Sequence, residues 1–261
     1  MSRDDSIYQQ LRAHLAYLKL GAAAEALPGQ LEAARASKAG HTEFLEALLR
    51  IEVEATEQRR WDGRMRFANF PAPWRISDFD FTAQPGIDET LIRELATCSY
   101  LDDATNVLFI GPPGVGKTML AIALGHAAVD AGHRVYYTTA ADLAARCRKA
   151  ALEGRWEPTM RFFNGPSVLI VDELGYLAMP AQDAAALFQV ISRRYQKGSV
   201  ILTTNLGVAS WGDIFTDTNI AAAMLDRLLH KSVVINIDGD SYRLRSHQAR
   251  ARKRRPKGDP D

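Results

Sequence analysis

Cysteine is nearly absent from the chain: Cys98 and Cys147 are the two among 261 residues. They lie far apart, and neither belongs to a CxxC or Cys/His spacing, so neither a disulfide framework nor a zinc site organises the fold and a reducing compartment is indicated. Long apolar runs are missing too. No stretch approaches the roughly 20 residues that a membrane-spanning helix needs. The opening residues Met1-Ser2-Arg3-Asp4-Asp5 have no apolar segment of the kind that directs secretion, and a soluble cytoplasmic protein is expected. Nor does one sign of charge dominate, since 32 Lys+Arg against 31 Asp+Glu leave a formal net charge of +1. The balance hides a cluster: Arg250, Arg252, Lys253, Arg254, Arg255 and Lys257 crowd the C-terminus, where such a tail either touches nucleic acid or serves as a solubilising end.

What is present suits one packed α/β core with a smaller companion, for 47% of the residues are hydrophobic. Ile7, Leu11, Leu15 and Leu18 form one helical stripe. A second helical stretch spans about Ala22 to Ser37, broken near Pro28-Gly29, and a third runs from Thr42 to about Arg66 with Phe44, Leu45, Leu48 and Leu49. These predict a small all-helical domain over residues 1–70, closed by Pro71 and Pro73. From Ile76 short apolar strands alternate with helices, and the strand candidates are Val107–Ile110, Val135–Thr138, Val168–Val171, Val200–Thr204 and Val233–Ile237. Continuous rather than alternating apolar runs mark strands covered on both faces. A three-layer α/β sandwich with a mostly parallel sheet is predicted over residues 71–246, followed by a basic tail, 247–261. No internal repeat is visible.

Gly111-Pro112-Pro113-Gly114-Val115-Gly116-Lys117-Thr118 is a complete GxxxxGK[ST] phosphate loop, set between the strand Val107–Ile110 and a helix that starts near Met119. Glycines let backbone N–H groups close around phosphate oxygens, and the helix N-terminus adds a fixed positive dipole. The eight loop residues and Met119 are therefore the expected ATP-binding segment, with Lys117 reaching the outer phosphates and Thr118 offering its hydroxyl to Mg²⁺.

Val168-Leu169-Ile170-Val171-Asp172-Glu173 is a buried strand ending in two carboxylates. Ligands of parallel sheets bind beyond the carboxyl ends of the strands, so this pair is expected beside Lys117. Asp172 then serves the Mg²⁺ shell and Glu173 orients a water for in-line attack on the γ-phosphate. Val200-Ile201-Leu202-Thr203-Thr204-Asn205 ends at the same edge. Asn205 is placed to hydrogen-bond the attacking water or the γ-phosphate, although asparagine is also a common turn former.

The GPPGVGKT loop, the VLIVDELGYL and ILTTN strands, the MLDRLLHKS helix and the DSYRLRS segment together resemble the IstB-like ATPases of bacterial insertion sequences, relatives of the DnaC and DnaI helicase loaders within the AAA+ superfamily. The resemblance covers about residues 76–246. It implies a five-stranded parallel sheet of order 5-1-4-3-2, self-assembly, and ATP bound between neighbouring subunits. Arg227 matches the arginine finger offered in trans to the next subunit's γ-phosphate, a surface ion pair with Asp226 or Asp217 being the alternative. Arg243 matches a second nucleotide sensor, a solvated arginine at a strand end being the alternative, and Arg193 with Arg194 match an arginine pair that crosses subunit interfaces in the loaders, a charged helix end being the default reading. The short polar, basic stretch after Ile237 leaves no room for a C-terminal helical lid, as in the loader and IstB branch. Related initiators and loaders bind nucleic acid through the region that holds Arg146, Arg148 and Lys149 here. Further DNA candidates are Arg59, Arg60, Arg64 and Arg66 at the end of the third N-terminal helix, and Arg252, Lys253, Arg254 and Arg255 in the tail; for the helix clusters a solvated face is the alternative, and Glu52, Glu54, Glu57 and Asp62 partly neutralise the N-terminal one.

The expected function is thus an ATP-dependent, DNA-binding helper of a transposase, hydrolysing ATP with Mg²⁺, forming homo-oligomers and binding duplex DNA with little sequence preference. A replicative helicase loader shares the same engine. A P-loop small-molecule kinase fits Asp172-Glu173 and a trans arginine less well. A scaffold that binds ATP without hydrolysing it fits poorly with the presence of both Lys117 and Glu173.

Overall fold

The computed structural model describes residues 3–176, 179–215, 218–239 and 241–242. They form two compact units that divide between Gly63 and Arg64. Helices α1 (Arg3–Tyr17), α2 (Gly21–Ser37) and most of α3 (His41–Ala68) make up the first. Leu15, Ala23, Leu27 and Leu48 are buried among them. Helix α2 runs unbroken through Pro28, where the sequence predicts a break. The proline removes one backbone donor, but its neighbour Leu27 is fully buried, and packing outweighs local propensity. No side chain caps α2 at Leu20. Glu52 of α3 supplies the acceptor instead, taking the Ala23 N–H at 2.9 Å and the Arg59 guanidinium at 2.8 Å. These bonds, the Ala23 one foremost, hold the Glu52 carboxyl below the usual carboxylate range.

In the second unit, Asn69 ends α3 in a left-handed conformation, φ +57, ahead of the two prolines. Next come α4 (Glu89–Leu95), capped by Asp88, and strand β1 (Asn106–Ile110). The chain continues through α5 (Lys117–Asp130), β2 (Val135–Thr139), α6 (Ala140–Leu152), α7 (Trp156–Asn164), β3 (Val168–Leu174) and α8 (Ala181–Arg194). It then adds β4 (Ser199–Thr204), α9 (Trp211–Ile214), α10 (Thr218–Leu229) and β5 (Ser232–Asn236). The five strands are all parallel, in the order β2-β3-β4-β1-β5, which is 5-1-4-3-2 read from the other edge.

Side-chain alternation assigns the layers. Leu169 and Val171 of β3 join Leu143 and Cys147 of α6 and Leu187 and Val190 of α8 in one core. Ile170 points the other way, against α5, where a Cβ on Gly125 would lie 2.7 Å from it and 2.8 Å from Phe70. Helix α5 is accordingly buried on nearly every side. Because β1 connects across β4 and β3 to reach β2, a crevice opens at the carboxyl ends of β1, β3 and β4, where α/β sheets bind ligands. No described helix is long and apolar enough to cross a membrane. Arg243, the basic tail and the expectation about a lid fall outside the described residues.

Candidate functional site

Strand β1 delivers the chain into a loop that ends where α5 begins at Lys117. Two of its glycines have no substitute: Gly114 (φ +85) would place a Cβ 2.2 Å from Ser241 Oγ, and Gly116 (φ +103) one 2.5 Å from the Phe79 ring. The loop closes over its own lysine, whose buried ammonium donates to the Gly111 and Pro112 carbonyls at 2.7 and 2.8 Å. Loop residues Pro113 to Gly116 and the start of α5 line the same cleft, about 390 Å³ in volume, so the cradle fits a phosphate chain.

Asp172 and Glu173 are neighbours in sequence but not in environment. Asp172 is 1% exposed. Its Oδ1 accepts from Thr118 Oγ1 at 3.0 Å and from Thr203 Oγ1, and its Oδ2 accepts from Tyr137 Oη at 2.7 Å. Between Val171 and Leu174 the β3–β4 register shifts. Glu173 takes up that irregularity with φ +61, its N–H donating to Thr203 Oγ1 at 3.0 Å. The turn sends its exposed carboxylate into the cleft. One carboxylate is thereby pinned beside Thr118 and the other is left solvated. A carboxylate and a hydroxyl beside a phosphate cradle could hold a Mg²⁺, which keeps waters and phosphates for its other positions.

Asn205 follows β4 directly, beside the loop, where Gly111 N–H donates to Thr204 O at 3.2 Å. Its amide oxygen is buried without a hydrogen-bond partner among the described residues. An orphaned acceptor this close to the phosphate loop is unusual, although Asn205 does not itself line the cleft.

The far side of the cleft was not foreseen. Trp74, Phe79 and Gln84 line it, together with Tyr242. Phe79 packs on Gly116 and edge-on to Phe81, with ring centroids 4.9 Å apart. Tyr242 N–H donates to Gly114 O at 3.0 Å. This aromatic, partly polar wall is of the kind that receives a nucleobase. The DSYR segment signals Tyr242, whereas nothing local distinguishes Phe79 or Gln84. Tyr137 and Thr203 were missed too, because the carboxylate they serve is 30 residues or more away in sequence.

Arg227 lies outside this cleft. Its guanidinium donates to Ala223 O at 2.8 Å on its own helix and sits 5.0 Å from the Phe188 ring centroid. Arg193 is engaged by Glu157 through two bonds of 2.7 and 2.9 Å. Arg194 corrects an expectation, for it is 1% exposed and reaches no surface. It donates to the carbonyls of Phe163, Pro166, Ser167 and Ser199, fastening α8 to the ends of β3 and β4.

The proposed DNA residues separate by their partners. Arg59 is held by Glu52, and Arg148 by Asp183. Arg60 and Arg66 are exposed and Arg64 is half-buried. Arg146 lies over the Phe162 ring at 3.7 Å and donates to Tyr136 Oη at 3.2 Å. With Lys149, Arg155 and Thr159 it borders a second cleft of about 440 Å³ between α6 and α7. Lys149 approaches Glu153 only to 4.0 Å, while Arg155 pairs with the same carboxylate. Arg252, Lys253, Arg254 and Arg255 fall outside the described residues.

Residues 13–250 match the profile of the IstB-like ATP binding protein family. A protein of insertion sequence IS5376 from Geobacillus stearothermophilus, named for ATP binding, is 43% identical over 238 residues, 91% of this chain and 95% of that one. A protein of insertion sequence IS21 from Pseudomonas aeruginosa, similarly named, is 44% identical over 236 residues, 90% and 89% of the two chains. Among solved structures, AMPPCP-bound DnaA from Aquifex aeolicus superposes with a TM-score of 0.54 at 19% identity. That match spans 71% of this chain and 57% of DnaA and establishes a shared fold.

Proposed function

The chain belongs to the IstB-like ATP-binding protein family, and from that membership we propose an ATPase that assembles on duplex DNA as a homo-oligomer and hydrolyses ATP to regulate a transposase's target selection and activation. The observation that carries the reading is the divided carboxylate pair. Asp172 is immobilised against Thr118 at the foot of the phosphate loop, and Glu173 turns into the cleft.

In this reading Lys117 exchanges its two carbonyl bonds for outer phosphate oxygens, and the loop N–H groups hold the rest of the chain of phosphates. Thr118 and Asp172 would hold Mg²⁺, which would supply charge neutralisation on the phosphates. Glu173 orients a water and draws on its proton, Asn205 offers its amide to that water or to the γ-phosphate, and Arg243 contacts the nucleotide. Arg227 is offered by the neighbouring copy, a role compatible with its place away from its own cleft. Exposed Arg146, Lys149 and Arg155 approach DNA phosphates without reading bases.

Names attached to two relatives above 40% identity refer to insertion sequences, which favours transposition over helicase loading. The test is to measure ATP hydrolysis with and without duplex DNA, and to image the protein on DNA with a slowly hydrolysed ATP analogue. Ordered assemblies that dissolve on hydrolysis are expected. A protein that neither hydrolyses ATP nor binds duplex DNA in its presence refutes the reading.

A further inference from the structure

Asp172 Oδ1 has two hydroxyl donors, from Thr118 and Thr203, but its Oδ2 has one, the phenol of Tyr137 at 2.7 Å. Tyr137 sits on β2 opposite Ile170, two residues before the Thr139↔Asp172 pair. Alternation puts Tyr137, Ile170 and Asp172 on one face of the sheet, and the diagonal from Tyr137 to Asp172 is a span that an aromatic side chain bridges. Both partners are nearly inaccessible, at 8% and 1% exposure. Tyr137 O in turn accepts from Asn69 Nδ2 at 3.2 Å, which anchors the backbone from which the ring projects.

A cation held between Thr118 and Oδ1 would compete with the Thr118 hydroxyl hydrogen for that oxygen. The Tyr137 bond comes from a different strand and to the other oxygen, so it persists. We propose that Tyr137 is a positioning residue for the Mg²⁺ site, fixing Asp172 through Oδ2 so that Oδ1 stays directed at Thr118 in both states. Tyr137 lies outside the residues that line the cleft.

The inference rests on the ATP reading above, and its test separates the two. Binding of a fluorescent ATP analogue is titrated with Mg²⁺ for the parent and for Tyr137→Phe, beginning in excess EDTA, with thermal unfolding followed in parallel. Phenylalanine keeps the ring and removes the donor. Metal-free affinity should be unchanged while the Mg²⁺ concentration for half-maximal enhancement rises roughly ten-fold, the scale of one hydrogen bond to a buried charged group. A purely structural role would lower the unfolding temperature without moving the Mg²⁺ dependence. A half-saturation equal to the parent's overturns the role of Tyr137 and leaves the ATP reading intact. A parent that gains no affinity from Mg²⁺ counts against the Mg²⁺ site of that reading, and one that binds no ATP analogue counts against ATP itself.

Discussion

The hydroxyl of Thr203 accepts the backbone N–H of Glu173 at 3.0 Å. The same hydroxyl donates to Asp172, so one buried atom on β4 ties together the residue that faces Thr118 and the backbone that aims Glu173. Glu173 adopts φ +61, a conformation that costs a non-glycine residue about 1 kcal/mol or more and persists only where its surroundings impose it. Thr203→Val keeps the shape and deletes both bonds. Hydrolysis should fall by about ten-fold or more with ATP affinity nearly preserved, since one bond of this type is worth about 1 to 2 kcal/mol. Steady-state kinetics beside equilibrium nucleotide binding will show it, and a fall confined to KM would refute the positioning of Glu173.

Glu173→Gln and Lys117→Ala should fail differently. Glutamine keeps the size of the side chain and leaves Thr118 and Asp172 in place, so ATP should bind and persist, and the DNA-bound assembly should outlive the parent's. Alanine at 117 removes the cation of the cradle, and nucleotide binding itself should be lost. A Glu173→Gln protein that turns over ATP at the parent rate would remove Glu173 from the chemistry.

Much of this arrangement was legible in the chain, for a local reason. The phosphate loop, the strand before Asp172 and the strand before Asn205 are short contiguous signals, and each strand that carries one is apolar throughout because both its faces are covered. What escaped notice depends on partners remote in sequence. Nothing near Tyr137 or Thr203 refers to Asp172; the parallel pairing of β2, β3 and β4 brings them together. Pro28 misled because packing of Leu27 overrides its local preference, and Arg194 misled because a charged helix end is ordinarily solvated.

Arg194 should therefore be a stability residue. Desolvation lowers its pKa to about 10, yet it stays charged near neutrality, and four carbonyls depend on it. Arg194→Ala should destabilise the second unit by about 3 kcal/mol or more. Arg193→Ala breaks a solvent-exposed pair with Glu157 and should cost far less. Urea unfolding of the two variants measures the contrast, and equal losses would contradict it.

Glu52 makes the helical unit sensitive to acid. The bond from Ala23 N–H, and then Arg59, hold its folded pKa below the usual carboxylate range, so its contribution is complete above that range and is lost as pH falls through the folded pKa. Protection of the Ala23 amide against hydrogen exchange, corrected for the intrinsic pH dependence, should be level above about pH 5 and decline below about pH 4. In Glu52→Gln it should be lower at neutral pH and nearly independent of pH. A parent profile flat through the acid range would deny Glu52 its capping role.

Arg227 can be tested by mixing. Arg227→Ala should retain ATP binding and lose most hydrolysis, since supplied arginine fingers contribute about 10³ to 10⁵ in rate in well-characterised GTPases. Arg227→Ala subunits keep an intact cleft and Lys117→Ala subunits keep an intact finger, so the two inactive proteins should partly restore hydrolysis when combined. Mixed assembly without any recovery would count against action in trans.

The partners of each basic residue divide the DNA candidates into those available to phosphate and those already engaged. Arg146 and Lys149 border the cleft between α6 and α7, with Lys149 only loosely paired. Arg148, on the same helix, is bound to the buried carboxylate of Asp183. Each phosphate neutralised contributes about −0.9 to the slope of log K against log salt on duplex DNA. Replacing Arg146 and Lys149 by alanine should flatten that slope by about two contacts' worth and weaken binding to all sequences alike. Arg148→Ala should leave the slope unchanged and lower stability instead, because it strands a buried carboxylate. If the double variant keeps the parent slope, DNA contact lies elsewhere on the molecule; if Arg148→Ala flattens it, the pair with Asp183 opens when DNA binds.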